Sequence, residues 1–219
     1  MKNIIIIGPG RCGSHWIGNI CQRLFGHKSA EGEDLAILDK KQVTLDYYAK
    51  NVDSGKILVT HFPLSSVRDF LPYALVIAAL RDPRDMIVSA VHYKVQKDGR
   101  NYQETLEESV IQGHQFYWTE DYVQNRQSIP HVGIRYEDLH RDGIAVMRGV
   151  ADRLGITIPE SRTKEVFGSL DMATLHSQDP IMYRRGKFGT WPEYLSEDQA
   201  ATIMGRYKEF VSTVYPEGI

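Results

Sequence analysis

The stretch "NIIIIGPGRCGSHW", residues 3–16, limits the fold more than any other part of the chain. Four consecutive isoleucines follow Asn3 and run directly into a loop with glycines at 8, 10 and 13. Apolar residues on both faces of a strand predict a strand covered on both sides. A glycine-rich loop between such a strand and a helix collects backbone N–H groups at the positive end of the helix, which makes an anion site. The pattern Gly8 to Gly13 is G-x-x-x-x-G, but Ser14 and His15 stand where a nucleoside-triphosphate loop continues Lys-Ser or Lys-Thr. Arg11 supplies a planar, permanently charged cation from within the loop instead.

Further short apolar runs follow at 56–61 ("KILVTH"), 74–80 ("ALVIAAL") and 131–136 ("HVGIRY"). Each is nearly continuous rather than alternating, so a parallel sheet with helices on both faces is expected. Helical spacing covers Ser14–Phe25 and residues 83–96, where Asp82 and Pro83 form a cap and first-turn pair. It also covers one long stretch 104–126, the run 143–155 ending on Gly155, and 196–214 opening on Ser196. The expectation is one α/β domain over residues 1–219, three-layered, with a central parallel sheet and a P-loop-like binding loop. Residues 26–55 and 171–195 are polar and glycine-containing, and as insertions beyond strand ends they could shape a pocket.

Charge narrows the function. Lys and Arg number 26 against 28 Asp and Glu, a net charge of −2, so an anion site must be local and no nucleic-acid partner is expected. Cys12 and Cys21 are too few for a disulfide framework, and no His/Cys/Asp spacing suggests a metal site. No run approaches the ~18 apolar residues of a membrane span, nor does the first apolar run fit a secretory signal. A reduced, cytoplasmic protein without a membrane span is expected.

The loop "PGRCGSHW" resembles the donor loop of the sulfotransferases that use 3′-phosphoadenosine 5′-phosphosulfate (PAPS), which reads roughly Pro-(Lys/Arg)-Ser-Gly-Thr-Thr-Trp. On that resemblance Arg11 takes the place of the basic residue and Gly13 that of the glycine. Ser14 and His15 take the two hydroxyl positions, Trp16 the adenine-packing tryptophan, and Cys12 replaces a serine. "VTHFPLS" resembles Lys-Thr-His-x-Pro, which places the family's catalytic base at His61, with Val59 where lysine is usual. "RDPRDMIVSAVHY" resembles the 3′-phosphate segment, with Arg81 and Ser89 eight residues apart as in the family. "IRYEDL" puts Tyr136 near adenine, and "YRRGKFGTWPEYL" puts Arg184, Arg185 and Gly186 on the 3′-phosphate, with Pro192 replacing a lysine.

The resemblance implies sulfuryl transfer from PAPS to a hydroxyl or amine, without a metal, leaving adenosine 3′,5′-bisphosphate (PAP). The acceptor would be a small molecule, a carbohydrate or a lipid, read by the variable stretches 26–55, 94–130 and 171–183. The residues also make sense without the family: two separated basic sets, Arg11 with the loop and Arg81 with Arg184 and Arg185, suit a ligand with two separated anions. Two alternatives stand beside this reading. One is a small-molecule or nucleotide kinase, in which the second basic set would be idle. The other is a nucleotide-binding protein of the same fold that has lost catalysis. Tyr93 and Phe62 are candidates for the acceptor pocket, whereas Phe116, Tyr117, Trp118 and Tyr122 are read as core.

Overall fold

The structure is a computed structural model that describes residues 1–30 and 41–219. The part of the variable stretch 26–55 that falls on residues 31–40 lies outside the described residues.

Five parallel strands form one sheet in the order β2-β3-β1-β4-β5. They are β1 (Asn3–Ile7), β2 (Lys28–Ser29), β3 (Lys56–Thr60), β4 (Ala74–Leu80) and β5 (Val132–Arg135). The isoleucine strand is central, because it alone is fully buried along its whole length. It pairs Ile5 with Leu58 on one side and with Val76 on the other. Alternation divides its residues between two cores. Ile4 and Ile6 join Ile77 and Ala79 under one helical layer. Ile5 and Ile7 join Val76 and Ala78 under the other. Each fully buried isoleucine contributes about 1.5–3 kcal/mol, which fixes β1 between the layers.

The first layer contains α1 (Ser14–Phe25), α3 (Pro83–Asp98), α4 (Tyr102–Gln112), α6 (Tyr136–Leu154), α7 (Glu160–Ser169), α8 (Met172–Gln178) and α9 (Glu197–Arg206). The second contains α2 (Lys41–Lys50), a 3₁₀ helix at Leu64–Phe70, α5 (Phe116–Asn125) and α10 (Lys208–Val214). The N-cap expectations hold: Asp82 accepts from the Arg84 amide with Pro83 in the first turn, and Ser196 forms a capping box with Gln199.

Several stretches differ from the sequence reading. The long helix expected at 104–126 is two helices, α4 and α5, because the chain turns at Gly113 (φ 77°) and Gln115 (φ 50°), both left-handed. Helix 196–214 is likewise interrupted at Tyr207. The short edge strand β2 and helices α7 and α8 carry too few apolar residues to announce themselves.

The order of strands places the switch point at β1, where the chain moves first to β3 and later to β4. Ligands in open α/β sheets bind beyond the carboxyl ends of strands at such a point. Here those ends lead into the glycine loop, His61 and Arg81. Gly8 is required where the loop leaves β1, since a Cβ there would lie 2.7 Å from the Ala79 carbonyl oxygen of β4. Gly8→Ala is expected to lower stability by about 1–3 kcal/mol in urea unfolding, because backbone rather than a flexible side chain must move. An unchanged midpoint would show that the loop exit is not so tightly packed.

Candidate active site

Above the switch point lies a cavity of about 280 Å³. It gathers residues that are far apart in sequence. The glycine loop and the first turn of α1 give Arg11, Gly13, Ser14, His15 and Trp16, and β3 delivers His61. Arg81 and Ser89 come from β4's end and α3, Tyr136 from the start of α6, and Arg184, Arg185 and Gly186 from the loop before α9. Cys12 alone among the expected ligand residues does not line the cavity: its thiol is buried against the Met86 sulfur at 3.6 Å, and burial pushes its pKa far up. Any part it plays in ligand contact belongs to its backbone.

The loop presents donors rather than acceptors. Gly13 caps α1 in the left-handed region (φ 83°) with no side-chain hydrogen bond, and no acid occupies the first turn. The helix's first N–H groups are thus open to an anion. A Cβ at Gly13 would collide with the Tyr136 ring at 2.6 Å, so glycine is required for space as well as for φ. Arg11 itself is left-handed (φ 74°), a conformation that costs a non-glycine residue roughly 1–3 kcal/mol. Its guanidinium donates to the Met182 carbonyl (2.7 Å) and from Nε to Ser89 Oγ (3.3 Å), and lies 4.8 Å from the centre of the Tyr93 ring. Burial, and then the charge of Arg81, lower its pKa.

Arg81 is the most constrained cation. It is 9% exposed and makes no ion pair among the described residues. Its guanidinium donates to the carbonyls of Arg11 (2.9 Å) and Lys187 (3.0 Å), lies over the Tyr136 ring at 4.3 Å, and leaves Nε buried without a partner. The carboxylates that feel its charge are engaged elsewhere. Asp85 accepts from the amides of Gly189, Thr190 and Trp191, and Glu137 accepts from the Asp82 amide and the Tyr215 hydroxyl. Asp85 therefore ties the 184–190 loop to the start of α3. Arg84 is not part of the cavity; it pairs with Asp82 at 2.7 Å and stacks on Trp191. Arg184 donates to the Tyr194 hydroxyl, and Arg185 pairs with Glu193 at 2.6 Å.

His61 Nδ1 lies 2.8 Å from the carbonyl oxygen of Gly8. A carbonyl only accepts, so Nδ1 carries a hydrogen and Nε2 is the nitrogen left for another partner. Trp16 is 7% exposed, with its Nε1 unpartnered, and packs against His140 (4.6 Å between centroids) and Tyr136 (5.8 Å). Of the acceptor-pocket candidates, Tyr93 lines the cavity, whereas Phe62 packs on Phe70 in the second core. Trp118 and Tyr122 are buried core and Phe116 packs partly buried against the first core, as read, but Tyr117 points into solvent, 56% exposed. Lys94, His114, Gln115, Met182 and Lys187 line the cavity unannounced by any motif. A helical stripe on α3 (Ser89, Tyr93, then Lys97) and the break at Gly113 were the available signals for this end of the site.

A model of the sulfotransferase domain family matches residues 1–214. The chain belongs to the sulfotransferase domain family. Human sulfotransferase 6B1 is 23% identical over an alignment of 228 positions, covering 94% of this chain and 75% of that relative. In fold, the chain is similar to mouse sulfotransferase SULT7A1 complexed with PAP (TM-score 0.74, 16% identity, 96% of this chain and 84% of that one). It is also similar to retinol dehydratase in complex with androsterone and PAP (TM-score 0.70, 16% identity, 95% and 80%). Its reaction is PAPS-dependent sulfuryl transfer, and the kinase alternative is not favoured. Among the described residues no helix is long and apolar enough to cross a membrane, and no cluster of side chains is suited to a metal ion.

His92, His114 and His140 surround this site, and burial lowers each to about 4. All three are neutral at pH 7 in the folded state. An unfolded chain takes up protons at histidine near 6.5, so between about 6.5 and 4 it binds more protons than the native state. Stability is therefore greatest above that window and declines as pH falls through it. His140→Gln is expected to make the dependence of the urea midpoint on pH shallower by up to one proton. Identical slopes in the two proteins would show that His140 titrates alike in both states.

Proposed function

We propose that the cleft binds PAPS between its two basic sets and that His61 is the general base for an acceptor hydroxyl or amine. The observation that carries this reading is the convergence of Arg11, Arg81, Arg184 and His61 on one cavity with no Asp or Glu among its described lining residues. A buried cation without a counter-ion is costly, and a bound phosphate would remove that cost with charge-assisted hydrogen bonds. The unpartnered Arg81 Nε and the open first turn of α1 fit such an anionic ligand. Arg81, Ser89 and the Arg184–Gly186 loop would hold the 3′-phosphate. Arg11 with the amides of residues 12–15 would hold the phosphosulfate, and Trp16 and Tyr136 would flank adenine.

PAPS supplies an activated sulfur whose bond to the bridging phosphate oxygen breaks as the acceptor oxygen bonds to it. His61 Nε2 accepts the acceptor's proton, while Nδ1–H remains on the Gly8 carbonyl, orienting the ring and stabilising the imidazolium that forms. Arg11 and the loop donors face the bridging oxygen, on which negative charge grows; donors fixed in place before reaction need no reorganisation. Retinol dehydratase, with androsterone bound in one structure and retinol in another, supports an acceptor of small-molecule size that carries a hydroxyl.

His61→Ala is expected to lower kcat by about 10²–10⁴ while calorimetric PAP affinity is kept, since His61 acts on the acceptor proton. Turnover equal to that of the parent would remove His61 as the base. PAP is also expected to raise Tm where ATP with Mg²⁺ does not. The reverse order would return the site to the kinase reading.

A further inference from the structure

We propose that the acceptor carries an anionic group, a carboxylate, sulfate or phosphate, which Lys94 receives while the reacting hydroxyl faces His61. The proposal rests on the donor reading above and concerns the opposite end of the same cleft.

Six cationic side chains line the cavity: Arg11, Arg81, Lys94, Arg184, Arg185 and Lys187. The donor reading engages Arg11, Arg81, Arg184 and Arg185, the last also paired with Glu193, and Lys187 follows them in the same loop. Lys94 is left over. It sits one turn after Ala90 on α3, is half-buried, and has no carboxylate partner among the described residues. It lines the cavity together with Tyr93 on the same helix and with His114 and Gln115 of the α4–α5 turn. The charge of Lys94 acts on His114 more strongly than that of His61 or Arg11 does, whereas His140 at the other end responds to Arg81.

This end of the cleft is built, not incidental. The turn from Gly113 to Gln115 holds two left-handed residues. It is clamped by the Tyr207 hydroxyl, which accepts from the His114 amide (2.8 Å) and donates to the His114 carbonyl (3.0 Å). Gln115 Oε1 accepts from the Gly10 amide at 2.7 Å and joins the turn to the donor loop. His114 is thereby pressed against Gly10, whose backbone it meets. An apolar acceptor here would desolvate the Lys94 ammonium without offering it a partner. An acceptor with an acidic group offers a charge-assisted bond to Lys94 and a polar neighbour to His114. A cavity lined by one sign of charge also concentrates oppositely charged solutes.

The test uses the full-length protein saturated with PAP and paired acceptors that differ in one charge: hydroxyphenylacetate against hydroxyphenylethanol, and glucuronate against glucose. Calorimetry is expected to show the anionic member of at least one pair binding about tenfold more tightly, as for a close charge pair. Lys94→Gln is expected to abolish the difference, and Lys94→Glu to reverse it, with PAP affinity unchanged in both. Equal affinities within each pair, or no binding by any anionic member, overturn the proposal. So does a loss of PAP affinity in Lys94→Gln, which would place the lysine on the donor. Failure of the parent protein to bind PAP at all would instead overturn the donor reading.

Discussion

The buried guanidinium of Arg81, held without a counter-ion among the described residues, is the interaction on which this structure turns. Two carbonyls and an aromatic face satisfy part of it, and the carboxylates that feel its charge are saturated by backbone amides and a tyrosine hydroxyl. Removing an ion from water costs several kcal/mol even after relaxation. A chain that tolerates this at the carboxyl end of its central strands keeps the charge available for a ligand. The fold supplies the stability to do so through the double-sided core on β1, where each isoleucine is fully buried.

From that cation the neighbouring features follow. Asp85 could have neutralised Arg81, but its three amide bonds to residues 189–191 use it to draw the 184–190 loop over the site. Burial raises the Asp85 pKa, while Arg81 and the amides lower it, so the carboxylate is stabilised by the same charge that it does not pair with. Arg11 repeats the pattern on a smaller scale. Its left-handed backbone aims the guanidinium at Ser89 and Met182, beside a second cation that lowers its pKa. A ligand that brought an anion to each of Arg11 and Arg81 would relieve both repulsion and desolvation.

Much of this was legible in the residues themselves. The run of isoleucines fixed a central parallel strand because only a strand covered on both faces accommodates it, and the glycine loop followed from its place between that strand and α1. The motif residues from 11 to 186 line a single cavity, apart from the Cys12 thiol, whose burial against Met86 no spacing rule announces. Other features were hidden because they depend on contacts made late in the sequence. The break of 104–126 into α4 and α5 needs Tyr207, 93 residues beyond His114, to hold a turn of left-handed residues. The loop tether of Asp85 spans more than a hundred residues, beyond the reach of any local spacing rule.

The division of labour between the two ends of the cleft has a simple origin. The donor end is made of backbone and strand termini, whose positions the sheet dictates: the glycine loop after β1, His61 after β3 and Arg81 after β4. The far end is made of helix faces and the α4–α5 turn, which the sheet does not fix. Chemistry common to a family can therefore stay constant in the first place while the shape and charge met by the acceptor vary in the second. His61 sits between them because its Nδ1 is fastened to the loop through Gly8, leaving Nε2 for whatever the far end admits. On the proposed reading the loop that would hold the donor would also orient the base, so that proton removal and leaving-group stabilisation would depend on the same few ångströms of backbone.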